Sequence, residues 1–319
     1  MIAVSIMIEG QMGLTWERWR QLVAEVEGLG FAGLFRSDHF TDPEPPNRES
    51  LEMLVSLAYV ASHSRHIHFG PLVAPVTFRD PVMLARQAAA LDDLSDGRMI
   101  LGLGAGWQER EHHLFGYALG DVATRMRRLE EALEVVTRLL RDDAPGSFEG
   151  EFFQIREGAS ILPRPRHPGQ PPIMIGGNGP KRTLPLVARY ANIWNAVFLD
   201  PPTFRQRSRR LDELLIGAGR RPEDVRRTMM RGVHFGRDMD ELDRRLVRRH
   251  EHPEYAGKPL DEVVQIMSSQ GEIVGTADMV AEQIRTYADV GVEELMLQWL
   301  DLDDLDGLGA FAQQVLPLL

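Results

Sequence analysis

Asp38 and His39 are the strongest acid/base pair the sequence offers. A carboxylate beside an imidazole can orient the ring and raise its affinity for a proton, which suits general acid/base work near neutral pH. The bland alternative is that Asp38 caps a turn and His39 is an ordinary, partly exposed histidine. A second group, Gly176-Gly177-Asn178-Gly179-Pro180-Lys181-Arg182, has the makings of a phosphate cradle. Its glycines allow close backbone approach, Pro180 suits the first position of a helix whose N–H groups are free, and two cations follow. The competing reading is a tight strand-to-helix turn that needs glycine only for its dihedral angles. A third, Gly102-Leu103-Gly104-Ala105-Gly106, either lets a flat ring or a phosphate lie on bare backbone or relieves crowding at a strand end. Neither glycine run fits the spaced dinucleotide fingerprint, and there is no P-loop. Glu109, Glu111, His112 and His113 carry metal-ligand side chains, and helical spacing would put Glu109 and His113 on one face. No other carboxylate–histidine cluster accompanies them, so they read as a charged helix start and not as a metal site.

These groups fall where short apolar segments end. Ile2 to Ile8, Ala32 to Arg36, Ile67 to Val73 and Arg98 to Leu103 have the Val/Ile/Leu/Phe content of buried parallel strands. Pro172 to Ile175, Ile193 to Val197, Thr228 to Phe235 and Glu294 to Trp299 continue the series. Between them run helical patterns: Thr15 to Leu29, Glu49 to Ser62, Asp80 to Leu94, Arg125 to Leu140, Pro180 to Tyr190, Pro202 to Gly217, Ala277 to Val290 and Asp303 to Leu316. Eight strands alternating with helices predict an α/β fold, a (β/α)8 TIM barrel in one domain over residues 1–319. Two stretches break the rhythm and read as insertions after strands four and seven. These are 142–171, with a hairpin over Phe148 to Ile155 before Pro163-Arg164-Pro165-Arg166, and the polar 240–275. In such a barrel, chemistry collects at the C-terminal ends of the strands. The expected mouth residues are therefore Asp38, His39, the Pro71 to Thr77 segment, both glycine loops, Asn195, His234 and Gln298-Trp299.

Composition narrows the chemistry. The chain has no cysteine, which excludes disulfides, thiolate metal sites and a cysteine nucleophile, so redox work would need a bound cofactor. A net charge of −11 opposes broad attraction to nucleic acid or anionic membrane. The arginine runs Arg205 to Arg210 and Arg244 to Arg249 have Asp and Glu nearby and read as solvated helix surface. No stretch has membrane-spanning length and Met1 to Ile8 lacks the features of a secretory signal, so the cytoplasm is the expected location.

Several runs, in order and spanning nearly the whole chain, resemble the luciferase-like monooxygenase superfamily. They are Gly30-Phe31 through Ser37-Asp38-His39-Phe40, Phe78-Arg79-Asp80-Pro81 through Leu94-Ser95-Asp96-Gly97-Arg98, Gly102 through Trp107 to Glu111-His112, Pro172 through Gly177 to Trp194-Asn195, and Gly275-Thr276 through Gln298-Trp299. The Ser-Asp-His-Phe run is most similar to the branch that uses the deazaflavin coenzyme F420, a hydride carrier. The resemblance implies that Asp38 and His39 lie beside the cofactor ring, with His39 as acid/base, and that a non-proline cis peptide falls in the Leu72-Val73 segment behind the ring. It also implies that Gly104, Ala105 and Gly106 with Trp107, and Gly176, Gly177, Asn178 and Gly179, contact the cofactor and its phosphate tail. Sugar-phosphate dehydrogenases of this branch carry a catalytic glutamate directly after the Gly-x-Gly of strand four. This chain has Trp107 there, which argues against glucose 6-phosphate, and Glu109 is the substitute carboxylate to consider. The resulting expectation is hydride transfer between F420 and a small organic substrate, in a homodimer. The alternatives are an FMN-dependent monooxygenase fed by a separate flavin reductase, a cofactor-binding protein without turnover, and a cofactor-free isomerase or lyase acting on a phosphate ester.

Overall fold

In the computed structural model, residues 2–165, 171–246 and 254–319 are described. Met1, Arg166 and, from the second arginine run, Arg248 and Arg249 lie outside the described residues, as do parts of both expected insertions.

Strand β1 (Ala3–Ile8) pairs in parallel with β2 (Gly33–Arg36) and with β12 (Glu294–Gln298), bringing Met7 level with Phe35 and Gln298. From β12 the sheet runs through β10 (Arg226–Phe235), β9 (Ile193–Val197) and β8 (Ile173–Gly176) to β5 (Leu101–Gly104). The third barrel strand is in two pieces. β3 (His68–Pro71) bonds to β2 and β4 (Ala74–Pro75) bonds to β5, with a cis peptide between Leu72 and Val73 joining them. A bridge from Phe69 to Met99 closes the ring. The architecture is a (β/α)8 barrel.

Alternation along each strand divides the core into two layers. Met7, Phe35, Leu72, Ile100, Met174, Ile193 and Met296 fill the barrel, with Val73 and Met230 packed on them. Their sequence neighbours, among them Ile6, Ile8, Leu34, Leu101, Trp194, Leu295 and Leu297, face the helices. Flexible methionines suit the irregular interior of a barrel interrupted at strand three.

The outer helices begin where polar caps meet apolar periodicity. Thr15 caps α1 (Trp16–Gly28), Glu52 caps α2 (Met53–His63), and Asp80 with Pro81 opens α3 (Pro81–Ser95). Gln108 caps the short α4 (Glu109–Phe115), and Asp121 starts α5 (Val122–Arg141) three residues earlier than the apolar pattern predicts. The hairpin β6 (Phe148–Glu149) and β7 (Gln154–Ile155) follows. Helix α6 spans Thr183–Tyr190 and α7 spans Pro201–Gly217. The expected helical start at Pro180 is wrong: 180–182 form a turn, and α6 begins only at Thr183.

The polar 240–275 stretch holds more order than its composition suggests. Helices Met239–Arg245 and Leu260–Ser269 lead to β11 (Ile273–Gly275), which adds in parallel to the end of β10. Leu242, Leu246, Tyr255, Val263, Val264, Met267 and Val274 form a small core of their own. Helices Ala277–Ala288 and Leu305–Gln314 flank β12 and complete the outer layer. Among the described residues, no helix is long and apolar enough to cross a membrane.

Candidate active site

At the C-terminal end of β2 the chain is pinned from behind. Arg36 is fully buried and donates to Ser56 Oγ at 2.7 Å, the Leu51 carbonyl at 2.8 Å and the Ser37 carbonyl at 3.1 Å. Burial lowers its guanidinium to about 10, against the attraction of Asp38 and Glu52. Ser37 Oγ accepts from the Gly10 N–H at 3.0 Å and donates to Gln11 Oε1 at 2.8 Å. Gln11 and Gln298 then donate to opposite oxygens of Glu9, at 2.9 and 2.6 Å. A carboxylate is thus fixed at the end of β1 that composition and spacing did not single out.

Asp38 and His39 are both at the mouth, but neither is the other's hydrogen-bond partner. Asp38 is held by a two-bond contact from Arg79, Nε to Oδ2 at 2.8 Å and Nη2 to Oδ1 at 2.7 Å, and Arg79 also reaches Glu52 at 2.7 Å. The imidazole partner is Glu111. Its Oε1 lies 2.9 Å from His39 Nδ1, while its Oε2 accepts the Phe40 N–H at 2.9 Å. Burial lowers the proton affinity of His39, but the Glu111 hydrogen bond and the charges of Glu111, Glu9 and Asp38 outweigh it. The ring is held above the ordinary imidazole value.

The residues after β5 divide by direction. Trp107 is 60% exposed and meets the His39 ring edge-on, centroids 5.6 Å apart at 82°. Glu109 is exposed on the first turn of α4, whereas Glu111 is 1% exposed. The carboxylate delivered to His39 is therefore two residues beyond the one considered from the sequence. His112 turns away, bonding the Gln108 carbonyl through Nδ1 and Thr77 Oγ1 through Nε2, both at 2.7 Å. His113 is exposed.

The cis peptide falls at Leu72–Val73, where the family resemblance places it. The glycines around it have a packing reason. A Cβ on Gly104 would sit 2.4 Å from Val73 Cγ2, one on Gly102 would sit 3.0 Å from Val73 Cγ1, and one on Gly176 would sit 3.2 Å from Cγ1. Gly104 and Gly176 thus make room for Val73. Gly106, at φ +78°, lets its loop close on Thr77.

The second glycine loop is tied to β9. Asn178 donates to the Val197 carbonyl at 2.7 Å and accepts the Val197 N–H at 2.9 Å, so its amide is committed within the protein. Trp194 Nε1 donates to the Gly177 carbonyl at 2.9 Å. Gly177 has φ +128°, which favours glycine. What remains for a ligand is the turn before α6 with the exposed Lys181 and Arg182, since the Leu184 N–H is taken by the Gly179 carbonyl and Pro185 has none.

A cavity of about 1090 Å³ opens beside this cluster, at the ends of β10 and β12, with His234, Phe235 and Trp299 among its walls. Its lining includes neither His39 nor Val73, and its several arginines are matched by carboxylates. The hydrogen-bonded cluster lies on the His39 side of the mouth.

The luciferase-like monooxygenase model matches residues 3–294, and the chain belongs to this family. The F420-dependent glucose-6-phosphate dehydrogenase of Amycolatopsis mediterranei is 25% identical, covering 94% of this chain and 93% of its own. The phthiodiolone/phenolphthiodiolone dimycocerosates ketoreductase of Mycobacterium kansasii is 30% identical, covering 79% of this chain and 77% of its own. Among solved structures, an F420-dependent secondary alcohol dehydrogenase in complex with an F420–acetone adduct superimposes with a TM-score of 0.83 at 19% identity, covering 99% and 98%.

Proposed function

We propose that the chain is an F420-dependent oxidoreductase that interconverts a small carbonyl compound and its alcohol. The observation that carries this reading is the mouth geometry. His39, with one ring nitrogen committed to a buried carboxylate, stands on the same barrel rim as Val73 and the basic turn before α6. The residues fit such a cofactor: the Leu72–Val73 turn offers an apolar wall, Ala105 and Gly106 continue the rim after β5, and Gly177 and Gly179 with Lys181 and Arg182 suit an anionic tail. When bound, F420 supplies two-electron hydride chemistry. The chain's part is to exclude water from the ring site, orient the substrate against it, and move one proton to or from the substrate oxygen at His39 Nε2. Trp107, exposed beside His39, gives the substrate an aromatic wall where a sugar phosphate would call for polar groups. The names of the two curated relatives, an F420-dependent dehydrogenase and a ketoreductase, support the cofactor and the reaction class.

Titrating the purified protein separately with F420 and with FMN tests the reading. Binding of F420, with His39→Ala lowering F420-linked turnover by about 10²- to 10⁴-fold, supports it. Tight FMN binding without F420 affinity overturns it.

A further inference from the structure

We propose that Glu111 is a positioning residue for His39: its buried carboxylate holds the imidazole in the Nδ1–H tautomer, keeps Nε2 free to exchange a proton, and sets the pH at which it does so. This rests on the assignment of His39 as the acid/base group.

The local structure shows why the carboxylate is available. Glu111 is the third residue of α4, the position from which a glutamate ordinarily folds back to cap its own helix. Here Gln108 does the capping, its side chain accepting the Glu111 N–H at 3.2 Å. The Glu111 side chain does not fold back onto the Gln108 N–H; it crosses to the loop after β2, where it makes both of its 2.9 Å contacts. The two acceptors are used on adjacent residues, so the Phe40 contact fixes the carboxylate plane and the His39 contact fixes the ring. A carboxylate offers only acceptors, so Nδ1 is the donor and the lone pair of the neutral ring falls on Nε2. Nε2 has no hydrogen-bond partner among the described residues, and the His39 side chain is 14% exposed, open enough for a substrate to reach.

The other charged groups around His39 do not take over this role. Asp38, on the same strand end, is engaged by Arg79, which Glu52 also contacts. Glu9, at the end of β1, adds a longer-range attraction and is occupied by two glutamine side chains. His112 Nδ1 lies 4.0 Å from Glu111 Oε1 but is bonded to the Gln108 carbonyl. Trp107 contributes an uncharged edge. Glu111 alone combines contact, burial and a second anchoring bond.

The test reads the ring itself. In the unmodified protein, nitrogen chemical shifts of His39, assigned by comparison with His39→Ala, should show the Nδ1–H tautomer above the titration midpoint; the Nε2–H tautomer overturns the proposal. In Glu111→Gln the His39 midpoint should move to lower pH, and the matching limb of the turnover profile should move with it. The kcat should fall by on the order of tenfold, with KM little changed. Glu111→Asp, which retains the charge, should restore part of the midpoint shift. A Glu111→Gln protein with a native backbone spectrum and an unmoved midpoint would reduce Glu111 to a staple between two loops. The ring readouts need neither cofactor nor turnover, so failure of F420 binding would sink the functional reading, whereas an unmoved His39 midpoint in Glu111→Gln would sink this one.

Discussion

Gly104→Ala separates two roles that a glycine at a strand end can have. If the bare backbone of Gly104 exists for a ligand, the added methyl lowers cofactor affinity and leaves stability alone. If it exists for Val73, the methyl costs stability. The structure favours the second: the new Cβ would lie 2.4 Å from Val73 Cγ2, against an ordinary carbon–carbon contact of about 3.5 Å or more. Val73 cannot easily rotate away. It is β-branched and stiff at χ1, and its Cγ1 already occupies the space left by Gly102 and Gly176. Overpacking of this kind costs about 1–3 kcal/mol. At about 2.1 cal/mol/K of unfolding entropy per residue, this corresponds to roughly 1.5–4.5 °C in Tm for 319 residues. Calorimetry or denaturant unfolding of Gly104→Ala, Val73→Ala and the double variant closes a cycle. Val73→Ala should be destabilising in the natural background and should relieve most of the Gly104→Ala cost. Additive losses in the double variant, or a stable Gly104→Ala protein that only binds cofactor poorly, would refute the packing argument.

Asn178→Ala should lower stability by about 1–3 kcal/mol by stripping the Val197 N–H and carbonyl of their partner; urea denaturation reads this directly. Replacing both Lys181 and Arg182 with alanine should leave unfolding unchanged but weaken F420 binding by on the order of tenfold at low salt, less at high salt. Isothermal titration at two ionic strengths checks this. The histidine makes a pH-dependent contribution of known sign. Because His39 is held above its ordinary value in the folded chain, its contribution to stability is complete below the unfolded value of about 6.5 and is lost as the pH rises through the folded one. The stability advantage of the natural protein over Glu111→Gln, followed from about pH 6 to about pH 9, should therefore shrink as the pH rises.

The barrel was legible because its strands are short runs of Val, Ile, Leu, Met and Phe separated by amphipathic helices, a local signal. Asp121, three residues ahead of the apolar pattern of α5, shows how a cap moves a boundary. The 240–275 stretch was less legible. Leu242, Val263 and Met267 pack mainly on one another, so charged neighbours dilute a helical pattern that is present. The site divides the same way. His39 and the Leu72–Val73 turn were readable from motifs, whereas the partners were not. Glu111 meets His39 across 72 residues and Arg79 meets Asp38 across 41, and no spacing encodes such contacts.

Following the visible absorbance of the deazaflavin gives the most direct test. Oxidised F420 is mixed with secondary alcohols and reduced F420 with the matching ketones, in the presence and absence of oxygen. Turnover is expected with at least one alcohol–ketone pair, without a need for oxygen, and collapses in His39→Ala. Oxygen-dependent product formation with reduced FMN and no F420 turnover would contradict it.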